Sequence, residues 1–375
     1  MLKLCNGIWR PAHWPPGWKR KLYDTYTCII MFLVVSLVLS ECVEFVRSLD
    51  DVQAFADNSF ILLTMIGVCA KAIHILMKRD EIFKLAKALQ RDPFIPKSKD
   101  ELMIQRKFDE MVRSNTLRYA ALVGIAYSTE LWRSFIGDVP RRVLLHNSWV
   151  PVGCHESLLC YSIAYSHQII AITFGAAVHV AFDTLIAGLI MQTSAQLHIL
   201  KHRFREMPIL VLNRSNFGIP YVESMILSQS VRHHIEIFKF AKTLNDIFSI
   251  MICIQYTYST VVLCVSVFEL SKVKLFSAEF TSALLYGATM FSQIFMFCFY
   301  GGEGTLESIA VGDAIYEMNW TTLNIKMKRS LLTIMLRTLR PIEFTSFYII
   351  TLNLVSFNSL LKISYSAYNV LQQKG

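Results

Sequence analysis

Residues 28–40 read Cys28-Ile29-Ile30-Met31-Phe32-Leu33-Val34-Val35-Ser36-Leu37-Val38-Leu39-Ser40, a run without a charge. With its flanks it forms a mostly apolar segment over 25–47, and a membrane-spanning helix needs about 20 such residues. Six further segments follow, at 59–77, 117–136, 162–191, 246–270, 278–300 and 343–370. The first run has no small-residue cleavage site at its end, so it reads as a retained helix rather than a signal peptide. Upstream, Trp9, Trp14 and Trp18 stand beside Lys19, Arg20 and Lys21, the pattern of an interfacial anchor.

The composition agrees. Of 375 residues, 54% are hydrophobic and only 17% charged, against about 25% charged in a soluble domain. One soluble core cannot hide that much apolar surface. The net charge of +9 is not gathered into patches with exposed aromatics, so nucleic acid is not an expected partner. Lys and Arg fall between the apolar runs, and their distribution sets the direction of the chain. The connections 1–24, 78–116, 192–245 and 301–342 hold 27 of them, and the alternate connections hold 5. By the positive-inside rule the first set is cytoplasmic. The expected fold class is therefore all-α: a polytopic membrane protein of seven transmembrane helices, with an intracellular N-terminus and an extracellular C-terminus. Its expected location is the plasma membrane, with lipids as surroundings. Asp50, Asp51 and Asp57 fall in the first outer loop. The sequons at Asn213 and Asn319 fall on the cytoplasmic side and are expected to stay unglycosylated.

The expected organisation is a cytoplasmic segment (1–24), helices 1–4 (25–191), cytoplasmic anchor helices (192–245), helices 5–6 (246–300), a second anchor stretch (301–342) and a seventh helix with the C-terminus (343–375). Within the first anchor stretch Leu227, Val231, Ile235, Phe238, Ala241 and Leu244 recur at helical spacing. Leu331, Ile334, Met335 and Leu339 do the same before Pro341. Residues 78–91 read as another basic amphipathic helix. Such faces can bury one another in a bundle below the membrane.

Catalytic patterns are absent. Gly301-Gly302-Glu303-Gly304 lacks the lysine of a phosphate loop and reads as a helix break at the membrane exit. His155-Glu156 does not continue as HExxH, and His233-His234 point to different faces of a helix. No cofactor or metal is expected, nor an enzyme. The nine cysteines form no CxxC pair; Cys154 and Cys160 share one loop and are either bridged or free.

Two groups of side chains carry the functional expectation. In the outer halves of the spans, Phe60, Tyr127, Trp132, Phe135, Tyr165 and Phe280 are interleaved with Leu63, Leu131, Ile169, Thr173, Leu284 and Gly287; Tyr161, Phe174 and Tyr286 lie among them. Apolar pockets with a few polar groups hold small uncharged ligands, while aromatic belts and ordinary helix packing use the same residues. Glu130, Arg133 and Asp183 are costly against lipid and belong in a bundle interior or a cavity. The last span is rich in hydroxyls and amides, from Thr345 to Asn369, which suits a helix facing water, its own copies or tight neighbours. Near its end come Tyr365, Tyr368, Asn369, Leu371 and Gln372, a set able to gate a pore by dewetting.

Two stretches resemble the insect odorant receptor family. One is Phe299-Tyr300-Gly301-Gly302-Glu303 with Leu306, Ser308, Ala314, Ile315, Tyr316 and Trp320. The other is Arg340-Pro341 with Thr345, Phe357, Leu361-Lys362 and Ser364-Tyr365-Ser366. The resemblance implies a ligand-gated, non-selective cation channel of four subunits. It places an odorant pocket among helices two, three, four and six, and a pore lined by the seventh helix, gated between Tyr365 and Gln372. The family's coreceptor has a long insertion in the second cytoplasmic connection, and 192–245 is too short for it. The coreceptor also has apolar gate residues, where this chain has Tyr368, Asn369 and Gln372. Both departures imply an odorant-tuning subunit that partners coreceptor subunits in a heterotetramer and takes a small, volatile, mostly apolar ligand. The related gustatory receptors end in a Thr-Tyr, five residues and Gln-Phe; Ser364-Tyr365 precedes Gln372 by one residue more, without the Phe. A G-protein-coupled receptor would put the N-terminus outside and carry DRY and NPxxY, both absent. A transporter would show paired interrupted spans.

Overall fold

The computed structural model describes residues 17–48, 52–151, 153–154, 156–213, 219–275, 277–346 and 350–374. Trp9, Trp14, Asp50, Asp51 and His155 lie outside them. Eight helices and one short hairpin make up the described chain: α1 (Trp18–Arg47), α2 (Val52–Ala88), α3 (Lys99–Gly137), α4 (Leu158–Asn213), α5 (Ile219–Lys272), α6 (Ala278–Glu317), α7 (Ile325–Thr338), β1 (Thr345–Ser346), β2 (Ile350–Thr351) and α8 (Leu354–Lys374).

Local chemistry starts several of these helices. Ser98 caps α3 by accepting from the Glu101 amide at 3.1 Å, and the Glu101 carboxylate reaches back to the Lys97 amide at 2.6 Å, close to a capping box. Ser277 caps α6 through the Phe280 amide at 3.0 Å. Asn324 caps α7 through the Met327 amide at 2.8 Å. By length and composition, α1, α2, α4, α5 and α6 are apolar enough to cross a membrane. The expected spans at 117–136 and 343–370 fall on α3 and α8, which are too polar for that criterion. α3 is instead packed along α4 and α6, and α8 along α5 and α6.

The spans do not end where a bilayer would end them. α4 has 56 residues and α5 has 54; at 1.5 Å per residue each is about 80 Å long, against roughly 30 Å of hydrocarbon. The expected anchor helices at 192–245 are thus continuations of α4 and α5 rather than separate elements, and the start of the 301–342 stretch is a continuation of α6. Only α7 stands alone, burying Met327, Leu331, Ile334 and Thr338, while Leu339 is exposed. On the near part of α5 the buried face is Ile226, Ser230, His233, Ile237, Ala241 and Leu244, and Ile235 is exposed. The face turns away from the purely apolar reading because His233 has partners inside: Arg203 Nη1 at 2.9 Å and Gln196 Oε1 at 3.0 Å.

Gly301-Gly302-Glu303-Gly304 does not break α6, which runs through it. The glycines permit a close approach. A Cβ on Gly301 would stand 2.6 Å from both the Cβ and the carbonyl oxygen of Leu352. Leu352 follows the hairpin in which Thr345 pairs with Thr351 and Ser346 with Ile350. The hairpin is fastened to α5: Asn245 Oδ1 accepts from the Thr345 amide at 2.8 Å, and the Ser346 hydroxyl donates to the Ser249 carbonyl at 2.7 Å. Consequently the seventh span starts at Leu354 rather than 343, where Asn353 caps it through the Ser356 amide at 2.8 Å.

Candidate ligand-binding site

At the end of the bundle where α3 turns into α4, residues 138–151 fold over the helices as a cover. Gln168 of α4 pins it, with Nε2 donating to the His146 carbonyl at 2.9 Å and to the Ser148 hydroxyl at 2.7 Å. Asn147 donates to Asn58 at 3.0 Å, and the Trp149 amide donates to the Ser40 carbonyl of α1 at 3.1 Å. Tyr161 donates to the Val143 carbonyl at 3.0 Å. Cys154 and Cys160 are disulfide-bonded. Burial pushes the His146 imidazole down to about 4, so the cover carries a neutral histidine.

Beneath the cover lies a cavity of about 530 Å³, within the range of small-molecule sites. Its apolar wall comes from Ile61, Met65, Val68, Val123, Ile172 and Met290. Its polar groups include Glu41 from α1, Asn58 and Thr64 from α2, Glu130 and Arg133 from α3, Asp138, His146 and Asn147 from the cover, His179 from α4, Ser266 from α5, and Glu279, Ser282, Tyr286 and Thr289 from α6. Most of these are engaged. Glu130 binds Arg133 Nη2 at 2.5 Å and accepts from the Ser282 hydroxyl, while Asp138 stands 3.6 Å from Arg133 Nη1. Tyr286 and Thr64 share a hydrogen bond.

Below the cavity the bundle buries an ion pair, Lys71 to Asp183 at 2.7 Å, with both side chains fully buried. Asp183 also accepts from Gln293 Nε2 at 2.6 Å, and Lys71 Nζ stands 3.2 Å from Nδ1 of His179. Removing either charge would strand the other in an apolar interior. This pair ties α2, α4 and α6 together directly under the cavity floor. Among the described residues no group of three or more His, Cys, Asp or Glu side chains is placed to hold a metal ion.

The expected pocket residues occupy the expected helices but largely different faces. Tyr127 lines the cavity; its hydroxyl donates to the Ile169 carbonyl at 3.1 Å and stands 2.9 Å from Thr173 Oγ1. Ile169 and Thr173 therefore sit in the α3–α4 seam behind the wall. Tyr165 sits in the same seam, donating to Ser134 at 3.2 Å. Gly287 lies in the α5–α6 seam facing Ser266. Trp132, Phe135 and Leu284 are exposed on the outside of the bundle, where interfacial aromatics sit. Leu63, Leu131 and Phe280 are half-buried and off the wall. The Phe60, Leu371 and Gln372 side chains lie outside the described part. The aromatic signal thus marked the helices, while the polar residues mark the inward faces: Glu130 and Arg133 were legible as interior charges, and Glu41, just past the uncharged run 28–40, is buried as well.

On α8 the exposed face is mixed, with Val355, Asn358, Ser359, Lys362 and Ser366 along it. Tyr365 is exposed, its ring 6.2 Å from Tyr368. Tyr368 packs on Val265 and Phe268 of α5, and Asn369 is half-buried.

The sequence profile of the 7tm odorant receptor family matches residues 51–365. The chain is 25% identical over 373 residues to odorant receptor 46a, isoform A, of Drosophila melanogaster, covering 96% of this chain and 94% of that one. It is 22% identical to odorant receptor Or1 of Anopheles gambiae, over 98% and 92% of the two chains. The solved structure of the insect olfactory receptor OR5 from Machilis hrabei matches the fold with a TM-score of 0.86 at 14% identity, covering 100% of this chain and 96% of that one. The same receptor in complex with eugenol gives 0.85, over 98% and 93%. A membrane-spanning bundle enclosing a cavity, with a family profile matching most of its length, belongs to the 7tm odorant receptor family.

Proposed function

We propose that this chain is the odorant-binding subunit of a ligand-gated, non-selective cation channel in the plasma membrane of olfactory neurons, working with coreceptor subunits in a heterotetramer. The observation that carries the reading is the covered cavity of about 530 Å³ among α2, α3, α4 and α6. Its size and mostly apolar wall suit a small volatile molecule, and the complex of the Machilis hrabei receptor with eugenol supports a ligand of that class. The Lys and Arg asymmetry supports an orientation with the cover and the C-terminus outside the cell.

The route from pocket to pore runs through α5 and α6. Phe291 and Phe295 of α6 hold Phe357 of α8 edge-on, with centroids 5.1 and 5.6 Å apart. Tyr256 of α5 donates to the Ser356 carbonyl, and the Ser364 hydroxyl donates to the Thr260 carbonyl at 3.2 Å. A ligand that binds better when α6 has shifted would move α8 with it, because only differential affinity shifts an equilibrium. The polar residues on the exposed face of α8, Asn358, Ser359, Lys362 and Ser366, would then line the water path, with Tyr365, Tyr368, Asn369, Leu371 and Gln372 at its gate.

Recordings from oocytes test the reading. Odorants should evoke a cation current when this chain is expressed with a coreceptor, and none when it is expressed alone. Current from the chain alone would overturn the tuning-subunit assignment. An epitope at Gly375 should be stained on unpermeabilised cells. A gustatory-type channel is the second reading, resting on Ser364-Tyr365 ahead of Gln372; homomeric, tastant-evoked current would favour it.

A further inference from the structure

Glu41 is 3% exposed and lines the cavity, and neither of its carboxyl oxygens has a hydrogen-bond partner among the described residues. Ser266 of α5, 5% exposed and also lining the cavity, likewise has an unpartnered hydroxyl. A buried polar group without a partner is rare in a folded protein, and an isolated buried carboxylate is among the costliest to leave so. The other acids at the cavity are not in this position. Glu130 is paired with Arg133 and Ser282, Asp138 stands near Arg133, and Glu279 is exposed. Among the described residues Arg133 is the one Lys or Arg on the wall, and Glu130 and Asp138 already occupy it. Glu41 reaches the cavity from α1, and among the described residues no Lys or Arg is bonded to it.

We propose that the ligand answers it: the cavity binds small amphiphiles with an apolar body and a single hydrogen-bond-donating head, an amine first and an alcohol second, held by Glu41. This rests on the odorant-binding reading above and adds the chemical class. A charge-assisted hydrogen bond from an ammonium to a carboxylate is roughly twice as strong as a neutral one, which ranks the amine above the alcohol. A head that only accepts can take one hydrogen bond from the neutral carboxyl and leaves its other oxygen unanswered, whereas an alcohol can serve both. A carboxylate head meets like charge and is rejected.

The test uses the full chain in lipid nanodiscs and four probes of similar length: hexylamine, 1-hexanol, methyl pentyl ether and hexanoate. Binding is read as ligand-induced thermal stabilisation. Hexylamine and 1-hexanol should bind roughly tenfold or more tighter than the ether, and hexanoate weakest. In Glu41→Gln the amine should lose its lead over the alcohol. In Glu41→Leu both donors should fall to the level of the ether, and the ligand-free protein should melt no lower than wild type, since an unpartnered buried charge has been removed. Equal binding of ether and alcohol in wild type overturns the proposal, as does an unchanged ranking in either variant. Ligand-free Glu41→Leu melting well below wild type also overturns it, because the carboxylate would then be serving the fold. Oocyte currents with a coreceptor separate the two readings: donor-selective binding without any evoked current overturns the channel assignment and leaves the ligand class standing.

Discussion

At the end of the bundle away from the cover, Arg203 is surrounded by acceptors, whereas at the covered end Glu41 has none. Arg203 donates to both oxygens of Glu101, at 2.9 and 2.8 Å, and to the carbonyls of Pro93 and Ile95 at 3.2 and 3.3 Å. It also meets His233 Nδ1, and His233 in turn holds Gln196. Four segments converge on one guanidinium: the α2–α3 turn, α3, α4 and α5. The bidentate fork fixes their register in a way a point charge cannot. The covered end instead spends its polar groups on a cavity wall and leaves two of them open. Saturated polar groups hold an element in place; unsatisfied ones beside a void are what a ligand can complete. One chain thus carries a rigid far end and a receptive covered end, joined by helices about 80 Å long.

The largest effect that would blur this contrast is at Arg203. Arg203→Ala leaves the buried Glu101 unpaired, which should destabilise by about 3–5 kcal/mol. Arg203→Lys should recover only part of that. Thermal melting monitored by size-exclusion chromatography of the detergent-solubilised protein checks both, and a melt within a degree of wild type for the alanine variant would remove the rigid half of the comparison. Next is Gly301→Ala, whose new Cβ meets Leu352 at 2.6 Å. Overpacking there should cost about 1–3 kcal/mol, and because Leu352 leads directly into α8, gating should suffer along with the melt.

A smaller effect follows from pH at the covered end. Burial lowers the His146 pKa from 6.5 to about 4. The unfolded cover therefore binds more protons between those values, so its stability is full above about pH 6.5 and declines as pH falls toward 4. By pH 5 the decline should be about 1–2 kcal/mol. It should appear as faster hydrogen exchange across 143–149 with the far end unchanged; His146→Asn should flatten the profile. The Glu101 pKa is also held down, but for a different reason and in a lower pH window. Burial pushes its carboxyl up, but the Arg203 guanidinium and the Lys97 amide outweigh that and hold it below the usual carboxylate range. The stability it contributes is present above its unfolded pKa and is lost only as pH falls through the lower folded value. Above that value the far end should stay intact while the cover loosens. The smallest effect is at the surface: Arg205 and Glu317 pair at 2.9 Å while more than half exposed, so Glu317→Ala should change stability by about 0–1 kcal/mol.

Much of this molecule can be read along the chain. The apolar runs mark the helices, since nothing else hides a run such as 28–40. The family signatures at 299–320 and 340–366 lie inside the profile-matched region, save for Ser366 just beyond it. Less could be read about the walls of the cavity. On α3 the aromatics Trp132 and Phe135 face outward while Glu130 and Arg133 face inward. An aromatic serves a lipid interface as well as a pocket, so it names a helix without naming its side.

By itself, then, the order of residues determined which segments are helical and membrane-bound, because burial of apolar runs and alternation of basic loops are properties of short stretches. Tertiary structure decided the rest. It showed that the glycines at 301–304 admit a neighbouring hairpin rather than end a helix, that His233 is buried because Arg203 and Gln196 reach it, and that Glu41 faces a void. Each of these depends on what stands opposite a residue across the bundle, and separations of 30 to more than 100 positions leave no trace in local pattern.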